Sequence, residues 1–223
     1  MRTMQQISAI IAKDLAAELH TREILSAMFV FGVVALLIFS FALDLRGAVG
    51  RAAAPGVLWT TIAFAGTLGL SRSLAREQQS GGISGLLLAS EDRTVIFFGK
   101  AAGNFVMMVV VEITLLPLGT ALLDVNLLRP AIALVLLLGT LGYAAVGTLL
   151  AAVAVNTRAR EVMLPILLLP LVVPLLIAAV QATAGLVEGS GLADVNHWLQ
   201  MIVVYDLLIV AVAVLTFEYV VEA

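Results

Sequence analysis

Long segments without any charged residue constrain this chain more than any other feature. Residues 24–43 and 131–155 contain no Asp, Glu, Lys or Arg. About 20 apolar residues in a helix span the hydrocarbon core of a bilayer, so each segment is long enough to cross a membrane. Six segments of this kind are predicted to be transmembrane helices: residues 24–43, 55–70, 95–123, 131–155, 162–180 and 198–220.

The composition supports this fold class. Of the 223 residues, 62% are hydrophobic and only 12% are charged, whereas soluble domains are about half apolar and a quarter charged. A soluble fold would expose the apolar excess to water, but in a bilayer the outer surface is apolar too. We predict an all-α membrane protein that forms a single transmembrane domain over residues 1–223.

The distribution of basic residues predicts the orientation, because Lys and Arg accumulate in short cytoplasmic loops. Three basic residues follow spans on one side: Arg46, Arg51 and Arg129. Lys100 lies just inside the third span, near the other side. Both termini are therefore predicted to be cytoplasmic, with eight of the 12 basic residues on that side: Arg2, Lys13, Arg22, Arg72, Arg76, Arg93, Arg158 and Arg160.

Residues 1–22 have the pattern of an amphipathic helix. Its apolar residues recur at intervals of three and four and share one face. We predict that this helix lies in the cytoplasmic membrane interface, with that face toward the lipid. The alternative is a helix packed on a partner or on its own bundle. The apolar face consists of Met4, Ile7, Ile11, Leu15 and Leu19.

Residues 71–94 form a predicted cytoplasmic loop with internal structure. Residues 71–80 are polar and are predicted to continue the second span as a helix, which Gly81 and Gly82 then end. Three consecutive leucines at 86–88 follow. Leucines on a cytoplasmic loop need a cover, so they either return to the membrane interface or dock on a cytoplasmic partner.

Lys100, Glu112 and Asp206 are charged residues within the predicted spans. Glu112 lies about 18 Å along the helix from Lys100, and Asp206 lies about 12 Å from the outer end of the sixth span. A carboxylate at such depth is costly unless it faces protein or water. Both are predicted to point into the bundle, a cavity or a subunit interface, as protonated structural residues or as transport sites. Lys100 is predicted to reach the cytoplasmic surface as an interface anchor.

Two spans carry small or helix-breaking residues. In the fourth span, small residues recur every four positions from Thr140 to Ala152 and form a strip where another helix can approach closely. In the fifth span, three prolines remove backbone hydrogen bonds and are predicted to bend or break the helix. These hinge candidates are Pro165, Pro170 and Pro174.

Motifs for chemistry are absent from the sequence. There is no Cys, which excludes disulfides, thiolate metal sites and covalent haem attachment through Cys-x-x-Cys-His. Gly99-Lys100 precedes Ala101 and lacks the upstream glycine of a P-loop. His20 and His197 are isolated and lie outside the predicted spans. We predict no catalytic residue and no metal site, and hence no enzyme in its own right.

Several segments together resemble a known family. Residues 77–89 read EQQSGGISGLLLA and are followed by Phe97-Phe98-Gly99-Lys100. These segments, the proline-containing residues 163–174 and the ending 217–222 resemble CcmB, the haem exporter permease of cytochrome c maturation, an ABC-2-type permease. The similarity runs over the whole chain. It departs at Ala89-Ser90, where the family often has a proline after the leucines.

The resemblance implies a homodimer in the bacterial inner membrane that carries a separate CcmA-like ATPase. It implies further partners: a CcmC-like haem-handling protein, a small CcmD-like protein and a CcmE-like haem chaperone. Haem would be the ligand that the complex handles, and ATP would bind only the partner subunit. The implied ATPase-coupling residues are Glu77, Gly81, Gly82, Gly85, Leu86, Leu87 and Leu88.

Other functions fit the residues without the resemblance. An ion-coupled secondary transporter would use Glu112 and Asp206 as proton sites. A permease of another ABC-2-type exporter and a membrane scaffold without transport activity are also consistent with the pattern.

Overall fold

The computed structural model describes residues 2–42, 47–79, 93–154 and 160–222, and these residues are almost entirely helical. Six of the helices, α2 to α7, are long and apolar enough to cross a membrane. This confirms the predicted all-α fold class and the number of spans. The described helices are α1 Arg2–Thr21, α2 Glu23–Ala42, α3 Gly47–Gln79, α4 Arg93–Leu123, α5 Pro130–Ala154, α6 Arg160–Glu188 and α7 Asn196–Glu222.

The fifth predicted span differs most from the structure. We predicted that it ends near residue 180 and that its prolines bend or break it. Instead, α6 continues to Glu188 and is not interrupted at any of the prolines, so a break is wrong. Pro170 and Pro174 lie on its exposed face, whereas Leu164, Leu168 and Val172 are fully buried. The core packing of one face holds the helix together where the prolines remove hydrogen bonds.

Local signals at the helix ends explain where several helices stop. Beyond α6, Gly189 has a φ of 102°, and Ser190 N–H donates to the carbonyl of Gly185 over 2.9 Å. This is the glycine C-cap that ends many helices. At the start of α5, Pro130 occupies the first helical position, where its missing N–H costs nothing.

Helix α5 lies at the centre of the bundle. Its side chains are buried without interruption from Gly142 to Leu149, and it contacts α3, α4, α6 and α7. It runs parallel to α3, since Trp59 of α3 packs on Gly139 and Leu70 of α3 packs on Gly147. The small residues of α5 therefore allow larger side chains of its neighbours to approach its backbone.

Buried hydrogen bonds join α5 to its neighbours and also join α3 to α6. The strip of small residues predicted from Thr140 onward faces α4: Asn104 donates to the Thr148 hydroxyl over 3.0 Å. On the side facing α3, the hydroxyls of Tyr143 and Thr67 share a hydrogen bond of 2.6 Å. Trp59 of α3 donates its ring N–H to Thr183 of α6 over 3.0 Å. Polar contacts of this kind fix helix neighbours where lipid and protein are equally apolar.

The contact between Trp59 and Gly139 gives a stability prediction. A Cβ at Gly139 would overlap the Trp59 ring, whereas a Cβ at Gly56 of α3 would meet no atom within 4 Å. We expect Gly139→Ala to lower the free energy of unfolding by about 1–3 kcal/mol through overpacking, and Gly56→Ala to leave it unchanged or slightly raised. Thermal unfolding in detergent, followed by size-exclusion chromatography, measures both. Equal melting temperatures for the two variants would contradict the close packing.

Candidate functional site

The implied coupling residues lie in sequence between the last turns of α3 and the start of α4. Glu77 lies in the last turns of α3, and the other six, from Gly81 to Leu88, lie outside the described residues. The described chain resumes at Arg93 with α4. The end of α3 and the start of α4 therefore flank residues 80–92, and we call residues 71–79 and 93–103 the two stems. Helix α1 packs at this same end, which we call the α1 end.

Helix α1 meets the α4 stem at two glycines. Ile10 is buried and packs directly on Gly99, where a Cβ would come within 3.0 Å of it. One turn further along both helices, Gly103 faces Asp14. Glycines four residues apart form a flat surface on a helix and allow close crossing by a neighbour.

An ion pair lies beside these glycines. The Lys100 ammonium group donates to both carboxylate oxygens of Asp14, over 3.0 and 2.8 Å. The side chains of Lys100 and Asp14 are only 12% and 13% exposed. The role of Lys100 as a cytoplasmic-interface anchor stays a prediction; in the structure its charge is covered by α1, because the Asp14 carboxylate of the same chain is within reach.

A second ion pair joins α1 to the α3 stem. Glu18 is fully buried, and one of its oxygens lies 2.8 Å from a guanidinium nitrogen of Arg76. Its other oxygen accepts from Leu25 N–H over 2.9 Å, in the first turn of α2. Arg76 also donates to Thr21 over 2.6 Å. Arg22, with a φ of 54°, makes the left-handed turn between α1 and α2 that brings these groups together.

The apolar face of α1 is only partly used by the bundle. Met4 and Leu19 are 74% and 67% exposed, and Ile7, Ile11 and Leu15 are half-buried. The face turned fully inward carries Ile10 and Glu18 instead. Packing on the bundle, which we considered as the alternative, is present, and the interfacial position of the exposed face stays a prediction.

Glu112 lies inside the bundle between α4 and α5. It is 5% exposed and accepts a hydrogen bond from the Thr140 hydroxyl over 2.5 Å. A cavity with room for about one water molecule lies beside it, bordered by Met28 and Met108. In this conformation the cavity has no space for a ligand of haem size.

Asp206 occupies a different position, on the opposite side of α5. It is 7% exposed, and it faces Gly142, where a Cβ would collide with its carboxyl group. Neither of its oxygens has a hydrogen-bond partner among the described residues. The neighbouring Tyr205 donates to the carbonyl of Leu171 over 2.9 Å and so joins α7 to α6. A buried carboxyl group without partners is costly to keep, which makes Asp206 a functional candidate.

The histidines do not gather with other ligands. His197 is exposed and packs on Trp198 with ring centroids 4.5 Å apart, and His20 is exposed on α1. The described part of the chain contains no group of three or more His, Cys, Asp or Glu placed to hold a metal ion.

Sequence reasoning missed several residues of this site. Gly99 and Gly103 form a Gly-x-x-x-Gly pattern, which predicts close helix crossing. A strip of small residues was predicted only in the fourth span. Asp14 and Glu18 are four residues apart on one face, which indicates a shared partner surface. Nothing in the pattern identified Arg76 and Lys100 as their partners, because these contacts join distant parts of the chain.

A family model described as CcmB protein matches residues 5–222. The chain belongs to the CcmB family. This confirms the resemblance found in the sequence, and the match covers both stems, Glu112, Asp206 and nearly all of α1.

Three relatives share the printed name "Heme exporter protein B". The one from Bradyrhizobium diazoefficiens is 26% identical over 189 residues, which cover 83% of this chain and 84% of the relative. The one from Rhodobacter capsulatus is 27% identical over 184 residues, or 81% and 84% of the two chains. The one from Haemophilus influenzae is 27% identical over 140 residues, or 62% of each. The CcmB-family chain is thus similar to these proteins over most of its length, and with six apolar helices it is a multi-pass membrane protein.

Glu112 and Asp206 of this CcmB-family chain are expected to differ in stability tests. Asp206→Asn should leave the melting temperature unchanged or raise it, because no hydrogen bond is lost. Glu112→Leu should lower the free energy of unfolding by about 1–3 kcal/mol, since it removes the acceptor of the Thr140 hydroxyl. Thermal unfolding in the same detergent measures both. A clear loss of stability in Asp206→Asn would show that Asp206 has a partner that stabilises the fold.

Proposed function

We propose that this chain is the membrane permease subunit of an ATP-driven complex that delivers or exports haem during cytochrome c maturation. The observation that carries the proposal is the match of the CcmB family to residues 5–222, together with relatives named heme exporter protein B. The complex resides in the bacterial inner membrane, with both termini of this chain in the cytoplasm.

The energy source in this proposal is a separate subunit. The sequence has no P-loop, so ATP would be bound by a CcmA-like ATPase, and this chain would be non-catalytic. The ATPase would dock on residues 77–89, whose apolar run at 86–88 needs a cover on the basic side of the membrane. Two copies of the chain would form a homodimer that carries two ATPase subunits.

Three structural features support this assignment of the docking site. Both stems of the segment end at the α1 end of the bundle, so a partner that binds 80–92 would push on α3 and α4 together. Phe97 of the α4 stem packs on Phe217 near the C-terminal end of α7, with ring centroids 5.5 Å apart. Asn104, just beyond the α4 stem, bonds to Thr148 of the central helix α5. A displacement of the stems would therefore be transmitted through direct contacts to α7 and to the central helix α5.

The haem-handling role would be shared with other proteins. The chain has only two Trp residues and two His residues, and its described histidines are exposed and isolated. Haem contact would thus depend on a CcmC-like protein, a CcmD-like protein and a CcmE-like chaperone. The permease would supply the ATP-dependent movement, with α6 and its candidate hinges Pro165, Pro170 and Pro174 as the part that responds.

Charge substitutions in the leucine run test the docking site. Leu86→Glu and Leu87→Glu should abolish co-purification of the ATPase with this chain from native membranes, because a carboxylate cannot be buried in an apolar groove. Leu192→Glu is the matched control: Leu192 is 43% exposed and lies at the end opposite α1, so the complex should persist. An intact complex in the Leu86 and Leu87 variants would refute docking through this segment.

A second candidate function rests on Asp206. Its buried carboxyl group without hydrogen-bond partners is typical of proton sites in ion-coupled carriers. That function predicts transport into ATP-free proteoliposomes driven by a pH gradient, and its loss in Asp206→Asn. Transport only with ATP and the ATPase present would decide for the permease.

A further inference from the structure

Helix α1 contacts both the α3 stem and the α4 stem. In sequence, α2 and most of α3 lie between α1 and these stems. The α3 stem and the α4 stem belong to helices that the segment 80–92 separates in sequence. Each could move by itself if nothing joined them at this end. Helices α3 and α4 contact each other directly in the bundle, and α1 adds contacts to both of them.

On the α4 stem, the attachment is close and shielded. Lys100 is bonded to both oxygens of Asp14, and the pair is largely covered from solvent. Ile10 on Gly99 brings the backbones together beside it. Asp14 also lies 3.3 Å from Lys13, whose side chain is 49% exposed. A shielded ion pair resists separation more than an exposed one, because breaking it removes a close partner from a largely buried charge.

Helix α1 is attached to the α3 stem through the buried carboxylate of Glu18. The side chain of Glu18 is 1% exposed and that of Arg76 is 27% exposed. Glu18 is also fixed to the start of α2 through Leu25 N–H, so α1, α2 and the α3 stem meet at one group. A neighbouring pair, Arg72 with Glu23 at 3.2 Å, is exposed on both sides and contributes little.

The residues on the inward face of α1 indicate more than space-filling packing. A helix that only filled space would turn its apolar residues inward. Here Met4 and Leu19 are left exposed, while Asp14 and Glu18, one turn apart, point at a cation on each stem. The two pairs lie at successive turns of α1, so a single rigid helix holds both stems at a set separation.

We propose that α1 is a latch for the proposed coupling segment. Through Asp14–Lys100 and Glu18–Arg76 it binds the two stems into one body, so that a push on residues 80–92 moves α3 and α4 together. The α4 stem continues to Asn104 and Thr148, and α3 continues to Thr67 and Tyr143. Both routes end on α5, which therefore receives the displacement. Asp14 and Glu18 are positioning residues in this scheme, which rests on the proposed ATP-driven function.

Charge reversal tests the latch in the intact complex. Asp14→Lys and Lys100→Asp should each lower the yield of mature c-type cytochrome at least tenfold, while the double reversal restores it to within twofold of wild type. Co-purification of the ATPase and its rate of ATP hydrolysis should stay within twofold of wild type in every variant, because docking is not touched. If Asp14→Lys does not accumulate in membranes, Asp14→Asn replaces it.

The outcomes separate three cases. Single reversals with wild-type yield, or a double reversal without recovery, would overturn the latch. Loss of the ATPase from the single variants would also overturn it, because α1 would then shape the docking surface. If no ATPase accompanies the wild-type chain, the proposed function fails instead, and the latch is decided by the distance measurement that follows.

A distance measurement tests the same idea without the ATPase. The chain has no Cys, so Ser73→Cys on the α3 stem and Ala101→Cys on the α4 stem can be spin-labelled selectively. The distance distribution between the labels should be narrow in the otherwise unchanged chain and at least twice as wide when Asp14→Asn and Glu18→Gln are added. Glu23→Gln, which removes only the exposed pair, should leave the width unchanged. An equal width in all three chains would overturn the latch.

Discussion

Close approach to helix α5 is the constraint on which the rest of this bundle depends. Lipid tails are as apolar as the helices, so burial of apolar surface alone selects no particular neighbour. Selection requires small residues and internal polar contacts. Helix α5 supplies both: glycines receive large side chains of α3, and threonines bond to polar groups of α4. Each neighbour thus has its own position on α5, and the remaining faces of the outer helices are left apolar for the bilayer.

This arrangement separates the polar groups of the membrane interior into two kinds. Asn104, Tyr143 and Glu112 have partners, so their cost is offset by the specificity that they give to helix packing. Asp206 has none among the described residues and faces a glycine that leaves room only for its carboxyl group. Burial of such a carboxyl group costs more than burial of an apolar side chain, which makes Asp206 a candidate for a functional role.

The sequence predicted the spans well because uncharged length and apolar composition are local signals. It predicted the ends of α6 less well, because three prolines are strong local breakers and the packing of Leu164, Leu168 and Val172 that overrides them is tertiary. The same distinction applies to the site. The coupling residues came from a local motif, whereas the burial of Lys100 against α1 was not predicted, since its partner Asp14 lies 86 residues earlier. Long-range ion pairs leave no periodic trace in one sequence.

That separation of 86 residues also sets an order of events during synthesis. Helix α1 emerges first, with Asp14 and Glu18 still lacking the cations that later cover them. Only after the α3 stem and then the α4 stem have been made can Arg76 and Lys100 reach them. The packing of α1 on the bundle therefore cannot be completed before the start of the third span has been made.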